Sequence, residues 1–325
     1  MAKVETATNT ARRQLSDRPT DRADKIFYGF SRTAAYSAIV LVGLILVFLF
    51  IRAYPTFQSQ GLKFFYGSNW NTASKVRHYE IFPMIWGSLL VSALGAITAI
   101  PMGIALAYFI EFVARGRLAK FITSTVDLLA SIPSVIIGLW GVLVFTPVVV
   151  SWELILNKYL SWIPIFTNKS HTFAGSPFIA GWIVAVMIVP IITSVSREIF
   201  SQIDKDLING AIGLGAGRAA IFSKVILPSA RGGVIGGILL AIGRALGETV
   251  AILFVLTLTM NTNWYQILEG HGGSVASWII GQFGEADQTT ISALMAAGVV
   301  LFVISLLINF IANWIVARAA AGKGI

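Results

Sequence analysis

Residues 204–250 read DKDLINGAIGLGAGRAAIFSKVILPSARGGVIGGILLAIGRALGETV. A polar, glycine-rich stretch runs straight into an apolar one that carries an arginine and a glutamate, Arg244 and Glu248. Charged side chains near the middle of a bilayer span cost about 2.5 to 3.5 kcal/mol each on insertion scales, so a chain keeps them where they face protein or a water-filled path. The combination implies an all-α membrane protein with a polar route through it.

Composition agrees. Of 325 residues, 56% are hydrophobic and 12% charged, the balance of a multi-span membrane protein and not of a water-soluble core. The absence of cysteine excludes disulfides, thiolate metal sites and thiol nucleophiles. The net charge of +9 would suit nucleic acid, but the basic residues are scattered between apolar spans and form no patch, so no nucleic-acid partner is expected.

Crossing a hydrocarbon core about 30 Å thick takes roughly 20 helical residues. Six stretches qualify, and the spacing predicts spans at Thr33 to Ile51, Ile85 to Ile110, Phe121 to Val150, Phe178 to Val195, Gly232 to Leu258 and Ile291 to Val316. The third holds Pro133 and Pro147, which predicts a tilted or broken end. Of the 24 Lys and Arg residues, 17 lie in the two tails and the alternate connections 111–120 and 196–231, against 6 in the remaining connections. The positive-inside rule therefore predicts that both termini are cytoplasmic and that a multi-pass protein sits in membrane lipid. Residues 1–32 lack apolar periodicity and read as a cytoplasmic tail, leaving 33–325 as the transmembrane domain. Tryptophans near the span ends fit an interfacial aromatic belt.

Within 204–228 the pattern predicts two short amphipathic helices joined at Gly215, the second stopped by Pro228. This segment resembles the "EAA" loop with which type I ABC importer permeases meet their ATPase. That pattern is Glu-Ala-Ala, three residues, Gly, nine residues, Ile, one residue, Leu-Pro. Ala211, Gly215, Leu227 and Pro228 fall in register, and Val225 replaces Ile. Asn209 stands where that family has Glu, and Gly210 where it has the first Ala, so one charge toward the ATPase is missing here.

A closer resemblance is to the PstC-type permease of bacterial phosphate importers. It is carried by Phe65-Tyr66-Gly67-Ser68-Asn69-Trp70-Asn71, by Ser131-Ile132-Pro133-Ser134-Val135-Ile136-Ile137-Gly138-Leu139, and by Gly243-Arg244-Ala245-Leu246-Gly247-Glu248-Thr249. The resemblance implies a MetI-like core over about residues 85–317 in the bacterial inner membrane. It also implies a second permease of PstA type, two ATPase subunits of PstB type and an external phosphate-binding protein of PstS type. ATP and Mg would sit on the ATPase. No cofactor is expected on this chain, where Gly322-Lys323 lacks the upstream glycine of a phosphate-cradling loop.

Counted from a boundary near Gly233, Arg244 lies about 16 Å into the membrane, beyond snorkelling reach. A guanidinium is a permanently charged fork that suits phosphate oxygens. Glu248, four residues on, is predicted on the same helix face, where it holds Arg244 when no anion is present. The pair has two readings, a substrate site or a buried ion pair that fixes helix register. Ser131 and Ser134 flank Pro133 and are candidates to line the path, or hydroxyls that satisfy their own helix. Gly232 with Gly236, and Gly243 with Gly247, read as small-residue steps for close helix packing. His78, His171 and His271 lie far apart and give no metal-ligand spacing. Permeases for sulfate or molybdate, and an ion-coupled secondary transporter, remain open alternatives. An intramembrane enzyme, the other class open, would need a nucleophile with a base or a metal, and no in-span His, Cys or paired carboxylate supplies one.

Overall fold

The computed structural model describes residues 22–72 and 76–321, so the expected N-terminal tail lies outside the described residues as far as residue 21. Among the described residues, six segments are long and apolar enough to cross a bilayer: Asp24–Gln60, Phe82–Val113, Ser134–Leu160, Pro177–Ser201, Arg218–Leu246 and Gln288–Trp314. All are helical, as lipid requires of a backbone with no water to bond. By its contacts the chain divides into two units at Ile51 and Arg52.

Helix α1 (Arg22–Gln60) begins ahead of Thr33, since nothing between Arg22 and Thr33 breaks a helix and Asp24 favours its first turn. Helix α2 (Phe82–Tyr108) continues through a π turn to Val113. The third expected span is corrected. Residues 117–160 form α3 (Arg117–Ser131), α4 (Ser134–Trp140) and α5 (Thr146–Leu160), and the segment that crosses is Ser134–Leu160 in place of Phe121 to Val150. Pro133 is the cause. The residue before a proline is driven from the helical region, and Ile132 is extended at φ −67°, ψ 128°. Pro147 breaks nothing, because it falls in the first turn of α5 after a π turn, where a missing N–H is harmless.

Helix α6 (Pro177–Ser201) is the centre of the bundle, capped by Ser176, whose hydroxyl accepts the Ile179 N–H at 3.2 Å. It packs along α2 with Val91, Ala99, Ile183, Val184, Ile188 and Ile192 buried between and around them. Approach is close because Gly95 and Gly181 meet the opposite helix. A Cβ on Gly95 would lie 2.7 Å from Val184 Cγ1, and one on Gly181 2.7 Å from Leu94 Cβ.

The chain then runs through α7 (Lys205–Gly213), α8 (Arg218–Ile221), a π turn over Phe222–Ile226, and α9 (Leu227–Leu246). Short α10 (Val250–Val255) and α11 (Val275–Phe283) precede the last helix, α12 (Gln288–Ala321). At the end opposite α7 the loops interlock: Phe178 N–H donates to Ile267 O at 3.0 Å, Thr257 N–H to Gly175 O at 3.0 Å, and Gly270 N–H to Thr172 O at 2.8 Å. Buried Glu269 accepts the Ser170 N–H at 2.9 Å. A two-stranded hairpin, Trp70–Asn71 against His78–Tyr79, is tied to the start of α12 by the Arg77–Asp287 ion pair. Hydrogen bonds from Thr290, and then from Arg77, hold the exposed Asp287 carboxyl below the usual carboxylate range.

Candidate functional site

The span that carries Arg244 does not run to Leu258. Helix α9 ends at Leu246, Gly247 N–H folds back to Gly243 O at 3.3 Å, and helix resumes only at Val250. Side chains satisfy the backbone groups that the break exposes. Glu248 Oε1 accepts the Ala251 N–H at 3.3 Å, Thr249 Oγ1 donates to Gly247 O at 2.9 Å, and Ser277 Oγ donates to Thr249 O at 2.8 Å. Non-helical backbone at membrane depth is tolerated only under such cover or beside a cavity.

The break corrects the expected Arg244–Glu248 pairing. Four-residue spacing brings two side chains together only on an unbroken helix. Glu248 is 7% exposed with its carboxylate turned onto α10, and no ion pair joins it to Arg244 among the described residues. Arg244 is exposed in the last turn of α9, where the helix dipole favours a cation.

Arg244 opens onto a hollow of about 790 Å³ that Gly243, Gly247, Glu248, Leu239 and Ile191 also line. Asn309 of α12 completes it. Sequence reading passed over Asn309 because it looked for charge. The available signal was an amide inside an apolar run, costly in hydrocarbon without a partner. The amide stands beside Gly243, where an added Cβ would lie 3.9 Å from Asn309 Nδ2, an ordinary contact distance. The hollow therefore offers a guanidinium with several donors, an amide that donates and accepts, and a carboxylate held to one side. A small oxyanion is the solute such a set can hold.

Ser131 and Ser134 do not line this hollow. Ser131 Oγ donates to Leu128 O of its own helix at 2.7 Å, and Ser134 begins α4 across the Pro133 break. Helix α4 reaches the region indirectly, packing on α10 where Gly138 faces Ala251.

The second candidate surface is the 204–228 segment. Two helical pieces joined at Gly215 are present as expected. Gly215 has φ +80°, its N–H donates to Ile212 O at 2.9 Å, and Ala216 N–H donates to Ala211 O at 3.0 Å, a Schellman end to α7. Ile208, Ala211 and Ala216 pack against the cluster of Phe200, Ile221 and Ile226. Asn209 and Gly215 face outward with Leu207 and Ile212, and Leu214 is 90% exposed. Pro228 is no stop, which corrects the expectation. The π turn carries the Leu227 N–H to Phe222 O, so Leu227 and Pro228 enter the first turn of α9 and helix continues to Leu246.

Comparison with known proteins bears on both surfaces. The family described as "Binding-protein-dependent transport system inner membrane component" matches residues 99–321. "Phosphate transport system permease protein PstC 2" of Mycobacterium tuberculosis is 33% identical over 323 residues, 98% of each chain. "Phosphate transport system permease protein PstC" of Pasteurella multocida is 32% identical over 306 residues, 91% of this chain and 93% of that one. Among solved structures, a bacterial alginate ABC transporter in complex with an alginate pentasaccharide-bound periplasmic protein superposes with a TM-score of 0.59. It covers 92% of this chain and 96% of that one at 19% identity, a likeness of fold.

Proposed function

The chain belongs to the binding-protein-dependent transport system inner membrane component family, and on that premise we propose that it is the PstC-type permease subunit of an ATP-driven importer of inorganic phosphate. It is a transport component that works with other chains of an ABC transporter, and it forms part of the route by which phosphate crosses the inner membrane. Its partners in this reading are a PstA-type permease, two PstB-type ATPase subunits that bind ATP and Mg, and a PstS-type external phosphate-binding protein. The 17 to 6 distribution of Lys and Arg supports cytoplasmic termini, with the 204–228 segment facing the ATPase and Asn209, Ala211, Gly215, Leu227 and Pro228 shaping that contact.

The observation that carries the reading is Arg244 at a break in a span, facing an open hollow and joined to no carboxylate by an ion pair among the described residues. Phosphate at neutral pH is a mono- or dianion and loses hydration on entering a path of low dielectric. Arg244 replaces that hydration with a fixed charge and a fork of donors, and Asn309 supplies further hydrogen bonds without charge. Glu248, held on the Ala251 N–H, stays off the guanidinium while phosphate binds. Movement at Gly247 that brings Glu248 to Arg244 competes with the anion and releases it.

Uptake of radiolabelled phosphate in cells lacking other phosphate routes tests this. Arg244→Gln abolishes uptake while the complex still assembles, and Arg244→Lys restores part of it. Wild-type uptake by Arg244→Gln reduces Arg244 to a structural residue, and competition by equal sulfate or molybdate moves the chain to another oxyanion.

A further inference from the structure

Three polar side chains line the Arg244 hollow, and they differ in what they can do with a proton. Arg244 only donates, Asn309 donates and accepts, and Glu248, as a carboxylate, only accepts. Glu248 is 7% exposed, with Oε1 taking the Ala251 N–H at 3.3 Å, and its carboxylate makes no other hydrogen bond among the described residues. Buried Glu269 differs. Its two oxygens take the Ser170 N–H at 2.9 Å and the Lys169 N–H at 3.3 Å, so the backbone satisfies both. A buried acceptor with no donor costs free energy, and a second acceptor brought against it costs more. Glu248 thus gives the hollow a position that favours an O–H and repels a bare oxygen.

Phosphate brings that O–H and sulfate does not. As dianions the two are tetrahedral and alike in charge and size, but hydrogen phosphate carries a P–OH while every oxygen of sulfate is an acceptor. Arg244 and Asn309 donate equally well to either. A site built to meet a substrate hydroxyl rejects the analogue that lacks it, because its own buried polar group is then left unpaired.

We infer that Glu248 is a specificity-determining residue. Its carboxylate accepts the P–OH of hydrogen phosphate while Arg244 and Asn309 donate to the other oxygens, so the hollow takes protonated oxyanions such as phosphate and arsenate and turns sulfate away. The inference rests on the reading of this hollow as a phosphate site and adds a selection that the guanidinium alone does not make.

The test uses the purified complex of permeases and ATPase without the external binding protein, so that selectivity is read at the membrane site. Melting is followed as phosphate, arsenate, sulfate or monofluorophosphate is added, at a slightly alkaline pH where phosphate is mostly the dianion. The same titrations on Arg244→Gln subtract general salt effects and binding elsewhere on the complex. Wild type binds phosphate and arsenate alike. It binds sulfate, and monofluorophosphate with P–F in place of P–OH, roughly ten-fold or more weakly, the loss of one hydrogen bond to a charged group. Glu248→Gln keeps an acceptor for the Ala251 N–H and gains an amide donor, so the preference for phosphate over sulfate falls about ten-fold. Equal binding of phosphate and monofluorophosphate by wild type, or an unchanged preference in Glu248→Gln, overturns the inference and leaves Arg244 as the anion site. Phosphate binding that Arg244→Gln does not weaken overturns the phosphate reading of the hollow, and the inference with it.

Discussion

Helices α2 and α9 are both apolar and glycine-bearing, yet one closes on its neighbour and the other keeps a face open. Gly95 and Gly103 of α2 lie against Val184 and Ile192 of α6 so closely that a Cβ would stand 2.7 Å from either side chain. On α9 the glycines divide. Gly233 and Gly237 meet Ile199 and Val195 of α6, whereas Gly232 and Gly236, one of the two pairs expected to pack, have nothing within 4 Å. Gly243 and Gly247 border the Arg244 hollow. A glycine step thus marks close packing only where another helix arrives with its side chains, and a displacement of one residue, about 100° around a helix, separates a packed face from an open one.

The largest effect that breaks this contrast belongs to the closed side. Gly95→Leu and Gly181→Leu force a side chain into the α2–α6 contact and should cost about 3 kcal/mol or more. Thermal melting of the purified complex, with the amount in membranes, measures it; near-normal melting of both variants would show that the contact yields. On the open side, Asn309→Leu should leave folding intact and lower phosphate uptake by about ten-fold, the loss of one good hydrogen bond. Uptake equal to wild type removes Asn309 from the path.

A smaller effect is expected at Gly215, where φ +80° disfavours a branched side chain by about 1 to 2 kcal/mol. Gly215→Val should weaken ATPase association several-fold in pull-down, and Gly215→Asn, which tolerates this conformation, should largely restore it. Identical association for both would separate the Schellman turn from coupling. Smallest of all, Gly236→Ala should shift stability by no more than about 0.5 kcal/mol and leave uptake within two-fold, because a methyl there meets open space. A sharp loss of the second permease on purification would instead show that a partner covers this face closely.

Much of the membrane architecture was legible because lipid is a severe solvent. Each span announces itself by length and hydropathy, and their number, their helicity and the family of the chain follow from residues such as Arg244 and the Gly215-to-Pro228 register. The candidate site was half legible. Arg244 and Glu248 were visible as charges where charge is expensive, but Asn309 lies 65 positions after Arg244 in the chain and reaches the hollow only through the docking of α12.

What the sequence determined by itself were properties that depend on composition along one strand of chain: six spans, their alternation, a charged residue within the fifth, and a glycine turn before it. Tertiary structure decided where helices stop. Proline at position 133 divides the third span, while proline at 147 and at 228 does not, because π turns just upstream absorb the missing N–H at these two sites. It also decided that Arg244 and Glu248 stand apart. Spacing within a helix assumes that the helix continues, and whether it continues past Leu246 depends on partners, Ala251 for the Glu248 carboxylate and Ser277 for the Thr249 carbonyl, that only the folded bundle brings within hydrogen-bonding distance.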